Sequence, residues 1–272
     1  MNKLLLGLAV AAAVAAVAGC ATTTSPTGRT QYVGAVSQDQ LNQMGAQAFA
    51  ETKAKTPQTK DARQLAYVRC VVDALVRELP AGSGQGTSWD AAVFVNDEPN
   101  AFALPGGKVG VYTGIFKVAK NQDQLAAVIG HEIGHVIAHH HDERITRQLM
   151  AQGALGVAGE LVGSRYGEGA ANTTTQLGGA AAQGFFLLPN SRDQETEADV
   201  VGQQLMAKAG FDPRAAVNLW QNMAAAGGNR PPQWLSTHPD PKSRIGELQA
   251  RANGLSPTYE QARASGRKPR CG

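Results

Sequence analysis

His131-Glu132-Ile133-Gly134-His135 sets two imidazoles four residues apart around a carboxylate. On a helix, residues at that spacing lie on one face, one turn apart. Two ring nitrogens so placed can meet a zinc ion at about 2.0–2.1 Å. Glu132 is not needed as a ligand. Aimed at the open coordination position, it can take a proton from a polarised water as that water attacks a carbonyl. The chemistry is metal-assisted hydrolysis, and the ligand types favour one Zn2+ per chain.

A catalytic zinc takes three protein ligands and keeps one position open. His139 lies a further turn along the helix, too far to close the same tetrahedron. His140 and His141 diverge around the axis and read as a packed or solvated helix end. Glu195-Thr196-Glu197-Ala198-Asp199 is the better source. Glu195 and Asp199 share one face of a second helix. Glu195 can complete a His-His-Glu set. Asp199 can accept the other ring N–H of a ligand His and so fix its tautomer. Glu197 falls on the opposite side and is expected to face solvent.

The elements that must carry these residues are legible in the periodicity. Apolar spacing predicts helices over Ser37–Lys55 and Leu65–Leu79, the second stopped by Pro80. Ala91–Asn96 and Lys108–Thr113 read as strands of a small hairpin, with Asp97–Gly107 as the turn between them. One helix is expected from Asn121 to Met150 with an apolar centre, and another over Ser191–Ala209 stopped by Gly210. Asp212-Pro213 and Asp240-Pro241 predict helices to about Ala226 and Ala252, and Ser256-Pro257 a last short one. Ala151–Ala182 is rich in Ala and Gly and reads as a helical hairpin or a lid. The fold class is α+β and mostly helical: one zincin-like domain over 37–272 with a small sheet beside the H-E-x-x-H helix.

H-E-x-G-H followed about sixty residues later by E-x-x-A-D resembles the gluzincin metallopeptidases that include the CaaX prenyl protease, HtpX and the Oma proteases. Two more segments match that group in order. Asn100-Ala101-Phe102-Ala103-Leu104-Pro105-Gly106-Gly107 is similar to its N-A-F-x-x-P-G-G element. Thr237-His238-Pro239 with Arg244 is similar to its H-P-x-x-x-x-R element. The resemblance implies His131, His135 and Glu195 as zinc ligands and Glu132 as general base. It also implies His238 as a donor to the developing oxyanion and Arg244 as organiser of that loop. The strand pair beside the zinc helix would align an extended peptide through its backbone, with Asn100, Ala101 and Phe102 at the contact. An ordinary turn between two core strands is the alternative for these three.

The chain opens with an address. Lys3 precedes an apolar run from Leu4 to Ala18, shorter than the roughly 20 residues a bilayer-spanning helix needs. Val17-Ala18-Gly19-Cys20 resembles a bacterial lipobox. Residues 1–19 then form a signal peptide, Cys20 is lipidated, and 20–36 is a Thr/Ser/Pro/Gly-rich tether. Ala21 rather than Asp after the cysteine resembles an outer-membrane sorting signal. Together with the metallopeptidase motifs, this is closest to periplasmic LoiP-type lipoproteins. The HtpX and CaaX branches carry membrane helices, whereas the stretch between His135 and Glu195 is too polar to span. Cys70 and Cys271 remain, and an oxidising compartment favours their disulfide; a buried Cys70 with a free tail thiol is the alternative.

Composition bounds the rest. The 272 residues are 43% hydrophobic and 17% charged, with a net charge of +3, which excludes a nucleic-acid coat, a collagen or a disulfide-dense miniprotein. The function expected is an endopeptidase at the periplasmic face of the outer membrane, acting on unfolded or misassembled envelope proteins. A zinc-containing chaperone or assembly factor without turnover, or a cell-wall amidase, are the alternatives. Nucleic acid is not an expected partner. Either Ala151–Ala182 or the His238 loop is expected to restrict entry.

Overall fold

The computed structural model describes residues 21–80, 82–83, 88–151, 190–226, 237–238 and 241–272. The expected signal peptide, Cys20 and nearly all of Ala151–Ala182 lie outside them. The described residues form two compact units, one of 21–38 and 141–151, the other of 39–140 and 190–272.

In the smaller unit, β1 (Ala21–Thr24) and β2 (Thr30–Val33) pair antiparallel, with Ala21 opposite Val33. Composition predicts an open tether here. The structure differs because β-branched Thr stands on both strands and the turn closes itself. Ser25 N–H donates to Arg29 O at 2.8 Å, and Gly28 sits at φ 90°, where a side chain would be strained. The unit's other segment, 141–151, is helical. Its buried Glu143 accepts from both Arg29 Nη atoms at 2.8 Å and from Arg147 at 2.6 Å. A buried carboxylate held bidentately by a guanidinium fixes the hairpin to this helix.

The larger unit is built from α1 (Gln38–Lys55), α2 (Ala62–Val76), a three-stranded sheet, α3 (Gln122–Ile137), α4 (Arg192–Ala209), α5 (Ala215–Ala226) and α6 (Pro241–Ala264). The strands are β3 (Asp90–Phe94), β4 (Ala101–Leu104) and β5 (Lys108–Tyr112), in the order β3-β5-β4. β3 and β5 run parallel, so they are not the two arms of a hairpin as expected. The thirteen-residue segment between them holds β4, which pairs antiparallel with β5. Gly106 and Gly107, at φ 79° and 71°, make the reversal between β4 and β5. A connection with two reversals returns the chain in its first direction. β3 and β4 are the two outer strands of this sheet among the described residues, and Gln58 bridges to Phe94 on the β3 side.

α6 also differs from expectation. It continues through Pro257 instead of ending near Ala252. The proline leaves the carbonyl four residues earlier without a helical donor. That residue, Asn253, is exposed, so water can serve its carbonyl. No described helix is long and apolar enough to cross a membrane.

α3 is the axis of the core. Leu125, Ala126, Ile129 and Ile133 on it are fully buried, as are Val68, Val71 and Leu75 of α2 and Met206 of α4. α3 starts at Asn121, whose side chain accepts from Gln124 N–H. α4 starts with a capping box between Ser191 and Gln194 and ends at Gly210 in the left-handed region. These two helices cross on small residues. A Cβ on Gly134 would stand 2.7 Å from Ala198 O, and one on Gly202 would stand 2.8 Å from His131 N. The bare backbones therefore approach closely, and short carboxylate side chains on α4 reach the imidazoles of α3.

The chain's end is tied to this core. Cys70 on α2 and Cys271 form a disulfide. Gln122 clasps the same tail, donating to Pro269 O at 3.0 Å and accepting from Cys271 N–H at 2.9 Å.

Candidate metal centre

His131 and His135 stand one turn apart on α3, with their Nε2 atoms 3.1 Å apart. Glu195 enters from α4. Its Oε2 lies 3.4 Å from His131 Nε2 and its Oε1 lies 3.4 Å from His135 Nε2. His238 Nδ1 is 2.9 Å from Glu195 Oε1 and 3.2 Å from His131 Nε2. All four residues are buried, and one ligand atom from each lies within 4.8 Å of every other. A buried set of imidazole nitrogens and one carboxylate oxygen fits zinc by donor chemistry and by convergence. Glu132 is buried at the same place, with Oε1 3.4 Å from His238 Nε2.

The orientation of each group has a visible cause. His131 Nδ1 faces Asp199 Oδ1 at 3.0 Å, which turns its Nε2 toward the cluster. Arg244, from α6, spans both carboxylates. Its Nε and Nη2 each donate to Asp199 at 2.7 Å, and Nη1 donates to Glu195 Oε2 at 2.5 Å. The guanidinium lies 3.7 Å from the Trp220 ring centre, and that ring meets His131 edge-on at 5.9 Å. Arg244 therefore acts on the acidic residues of α4, whereas the resemblance implies an organiser of the His238 loop.

These contacts shift the titrations of the metal-free cluster. Burial raises the Glu195 carboxyl, but His238 nearby and hydrogen bonds from three imidazoles hold it well below the ordinary range. Burial likewise opposes ionisation of Asp199, and Arg244 with His131 overcomes it, leaving the carboxyl lowered. Burial disfavours the His131 cation, yet its bonds to Asp199 and Glu195 raise it to about 9. His135 goes the other way: burial dominates and holds it well below its usual value. The paired rings are thus electrostatically unlike.

The remaining residues singled out in the sequence divide. Ala101 is buried, and Asn100 O accepts from Tyr112 N–H at 2.9 Å. The Phe102 ring packs against Phe49, Phe94 and Tyr112, with centroids 6.1–6.3 Å away. Its side chain is half-buried in this aromatic group, so a peptide beside β4 can meet both the exposed part of that ring and the strand backbone.

Three features escape sequence reasoning. Glu197 is expected at the surface, but α4 is covered on nearly every side and Glu197 is only 1% exposed. His140 is expected at a packed or solvated helix end. It is packed there, but what the sequence does not foresee is its partner: α3 stops at Ile137, and His139 at φ 54° turns His140 back toward His135. Asn190, which precedes the α4 cap, places its amide nitrogen 3.4 Å from His135 Nε2. Only the pairing of E-x-E-A-D with a histidine-rich helix end hints at the first two.

An H-E-x-x-H helix crossed by a second helix that carries the convergent glutamate defines a zinc metallopeptidase core. Residues 62–252 match Peptidase family M48, and the chain belongs to that family. It is 38% identical over 188 residues to the mitochondrial metalloendopeptidase OMA1 of Schizosaccharomyces pombe, covering 65% of this chain and 51% of that protein. It is 33% identical over 189 residues to the Saccharomyces cerevisiae OMA1, covering 66% and 52%. It is 32% identical over 227 residues to the beta-barrel assembly-enhancing protease of Escherichia coli K12, covering 81% and 45%. The chain spans about half the length of these curated relatives. The Oma likeness expected from the motifs agrees with these matches.

Proposed function

We propose that this chain is a zinc-dependent endopeptidase of the bacterial cell envelope, with unfolded or misassembled envelope proteins as substrates. The observation that carries it is the convergence of His131, His135 and Glu195 with Glu132 buried beside them. Zinc, when bound there, supplies a Lewis acid that polarises the attacking water and the scissile carbonyl. Glu132 takes the proton of that water and returns it to the leaving amine. His238 donates to the developing oxyanion. Asp199 keeps His131 in the tautomer that frees Nε2, and Arg244 holds Glu195 and Asp199 in register. The outer strand β4 offers backbone groups to an extended peptide. The Cys20 lipobox supports a lipid anchor at the periplasmic face of the outer membrane. The similarity to the beta-barrel assembly-enhancing protease supports the substrate class.

One observation favours a second reading, a zinc-stabilised lipoprotein that binds clients without turnover. His238 stands among the ligand atoms, and four protein ligands are typical of closed structural sites. The same contact supports the His238 loop as the element that restricts entry. The test is cleavage of an unfolded protein by the zinc-loaded full chain, by a chelated sample and by Glu132→Gln with equal zinc content. Cleavage by the first alone establishes the endopeptidase with Glu132 as base. Client binding and bound zinc with no cleavage establishes the second reading.

A further inference from the structure

Each ligand imidazole of the zinc site has a second ring nitrogen that needs a partner, and the two are served differently. His131 Nδ1 meets a carboxylate directly, at Asp199. His135 Nδ1 meets another imidazole, His140 Nδ1, at 2.7 Å. His140 Nε2 in turn meets Glu197 Oε2 at 3.0 Å. His140 and Glu197 are 0% and 1% exposed.

Proton positions along this row are dictated by chemistry. An ionised carboxylate only accepts, so a neutral His140 carries its proton on Nε2. Its Nδ1 is then a lone pair and must accept. The proton it accepts belongs to His135 Nδ1, which leaves His135 Nε2 as a lone pair aimed at the ion. Reversing the bond between the two Nδ1 atoms would put a proton on His135 Nε2 and abolish it as a ligand. We propose that His140 and Glu197 are positioning residues of the zinc site, a relay that fixes the tautomer and rotation of His135. The proposal rests on the zinc reading above.

The backbone supports the assignment. His139 holds φ 54° although it is not glycine, a conformation that costs on the order of 1–2 kcal/mol. Its own side chain is exposed. The turn serves to end α3 and direct His140 inward, and strain retained at such a point marks a constrained site.

The experiment measures zinc affinity by chelator competition in the purified full chain, with the melting temperature of the metal-free form and the visible spectrum of the Co2+-loaded form. The variants are His140→Leu, His140→Gln and Glu197→Gln. A glutamine at 140 can accept from His135 Nδ1 through its oxygen and donate to Glu197 through its nitrogen, so it preserves the polarity of the relay. His140→Leu is expected to weaken zinc about 10- to 100-fold and Glu197→Gln about 10-fold, with altered Co2+ bands, while His140→Gln stays within about threefold of wild type. If His140→Leu does not fold, Glu197→Gln carries the test, since it keeps the side chain's size. A loss below about threefold in every folded variant overturns the relay, and so does a folded His140→Gln as weak as His140→Leu. Wild-type chain that binds no zinc overturns the zinc reading and this proposal together.

Discussion

Gly202→Ala tests whether the close crossing of α3 and α4 is what brings the zinc ligands together. The added Cβ would stand 2.8 Å from His131 N and 2.9 Å from Gly130 C, all backbone atoms that no side-chain rotation can clear. Ordinary contact begins near 3.4 Å, so the helices must separate by about 0.6 Å at this point. Zinc sites tolerate ligand displacements of only about 0.2 Å. The shift carries Glu195 and Asp199 away from His131 and His135 by roughly three times that margin. Overpacking costs about 1–3 kcal/mol, offset by about 1 kcal/mol of helix propensity gained on replacing glycine. The melting temperature of the metal-free chain therefore falls only slightly, while zinc affinity falls at least about tenfold. Gly254→Ala is the control: a Cβ there meets nothing within 4 Å, and the position lies inside α6. It gains the same propensity and keeps wild-type zinc binding. Chelator competition with parallel thermal melts reads both quantities. Wild-type zinc affinity in Gly202→Ala would show that the crossing does not set the ligand geometry.

Arg244→Met strips the guanidinium from two buried carboxylates and is expected to cost about 3–5 kcal/mol, read as a lower midpoint in urea unfolding; an unchanged midpoint refutes the clamp. In the metal-free chain, His131 has its titration raised from 6.5 to about 9. The stability this contributes is complete below pH 6.5 and is lost as pH rises toward 9. The same proton competes with zinc, so affinity should rise about 50-fold from pH 7 to pH 9, where half the imidazole is deprotonated, and a flat profile in chelator competition would refute the assignment. The disulfide joins cysteines 201 residues apart. Its loss in Cys271→Ser is expected to destabilise by on the order of 5 kcal/mol on the chain-entropy scale, seen as a lower Tm that reductant does not lower further. His238→Ala should lower kcat by about 100-fold or more while leaving substrate binding nearly intact, the pattern of a lost oxyanion donor.

Much of this protein is written in local sequence. H-E-x-x-H, the E-x-x-A-D run and the apolar periodicity of the helices depend on neighbours within a turn or two. They named the chemistry, the three ligand candidates, Asp199 and most helix positions. Cysteine parity pointed to the pair that the structure joins. What the sequence did not disclose are relations between segments far apart in the chain. Nothing local to residues 91–113 says that β3 and β5 run parallel, because that depends on a third strand forming inside the connection. Glu197 looks solvent-facing from its helical phase, since phase measures angle and not what covers the helix. His140 falls off the ligand stripe by spacing alone, and a single residue at positive φ returns it to His135. The reach of Glu195 to both histidines is likewise a tertiary matter. Glycines on two helices, 68 residues apart for Gly134 and Gly202 by number, act only when packed, because close approach is a property of a pair of backbones. Residue types determined what the site can do; the crossing of α3 and α4 decided which residues do it.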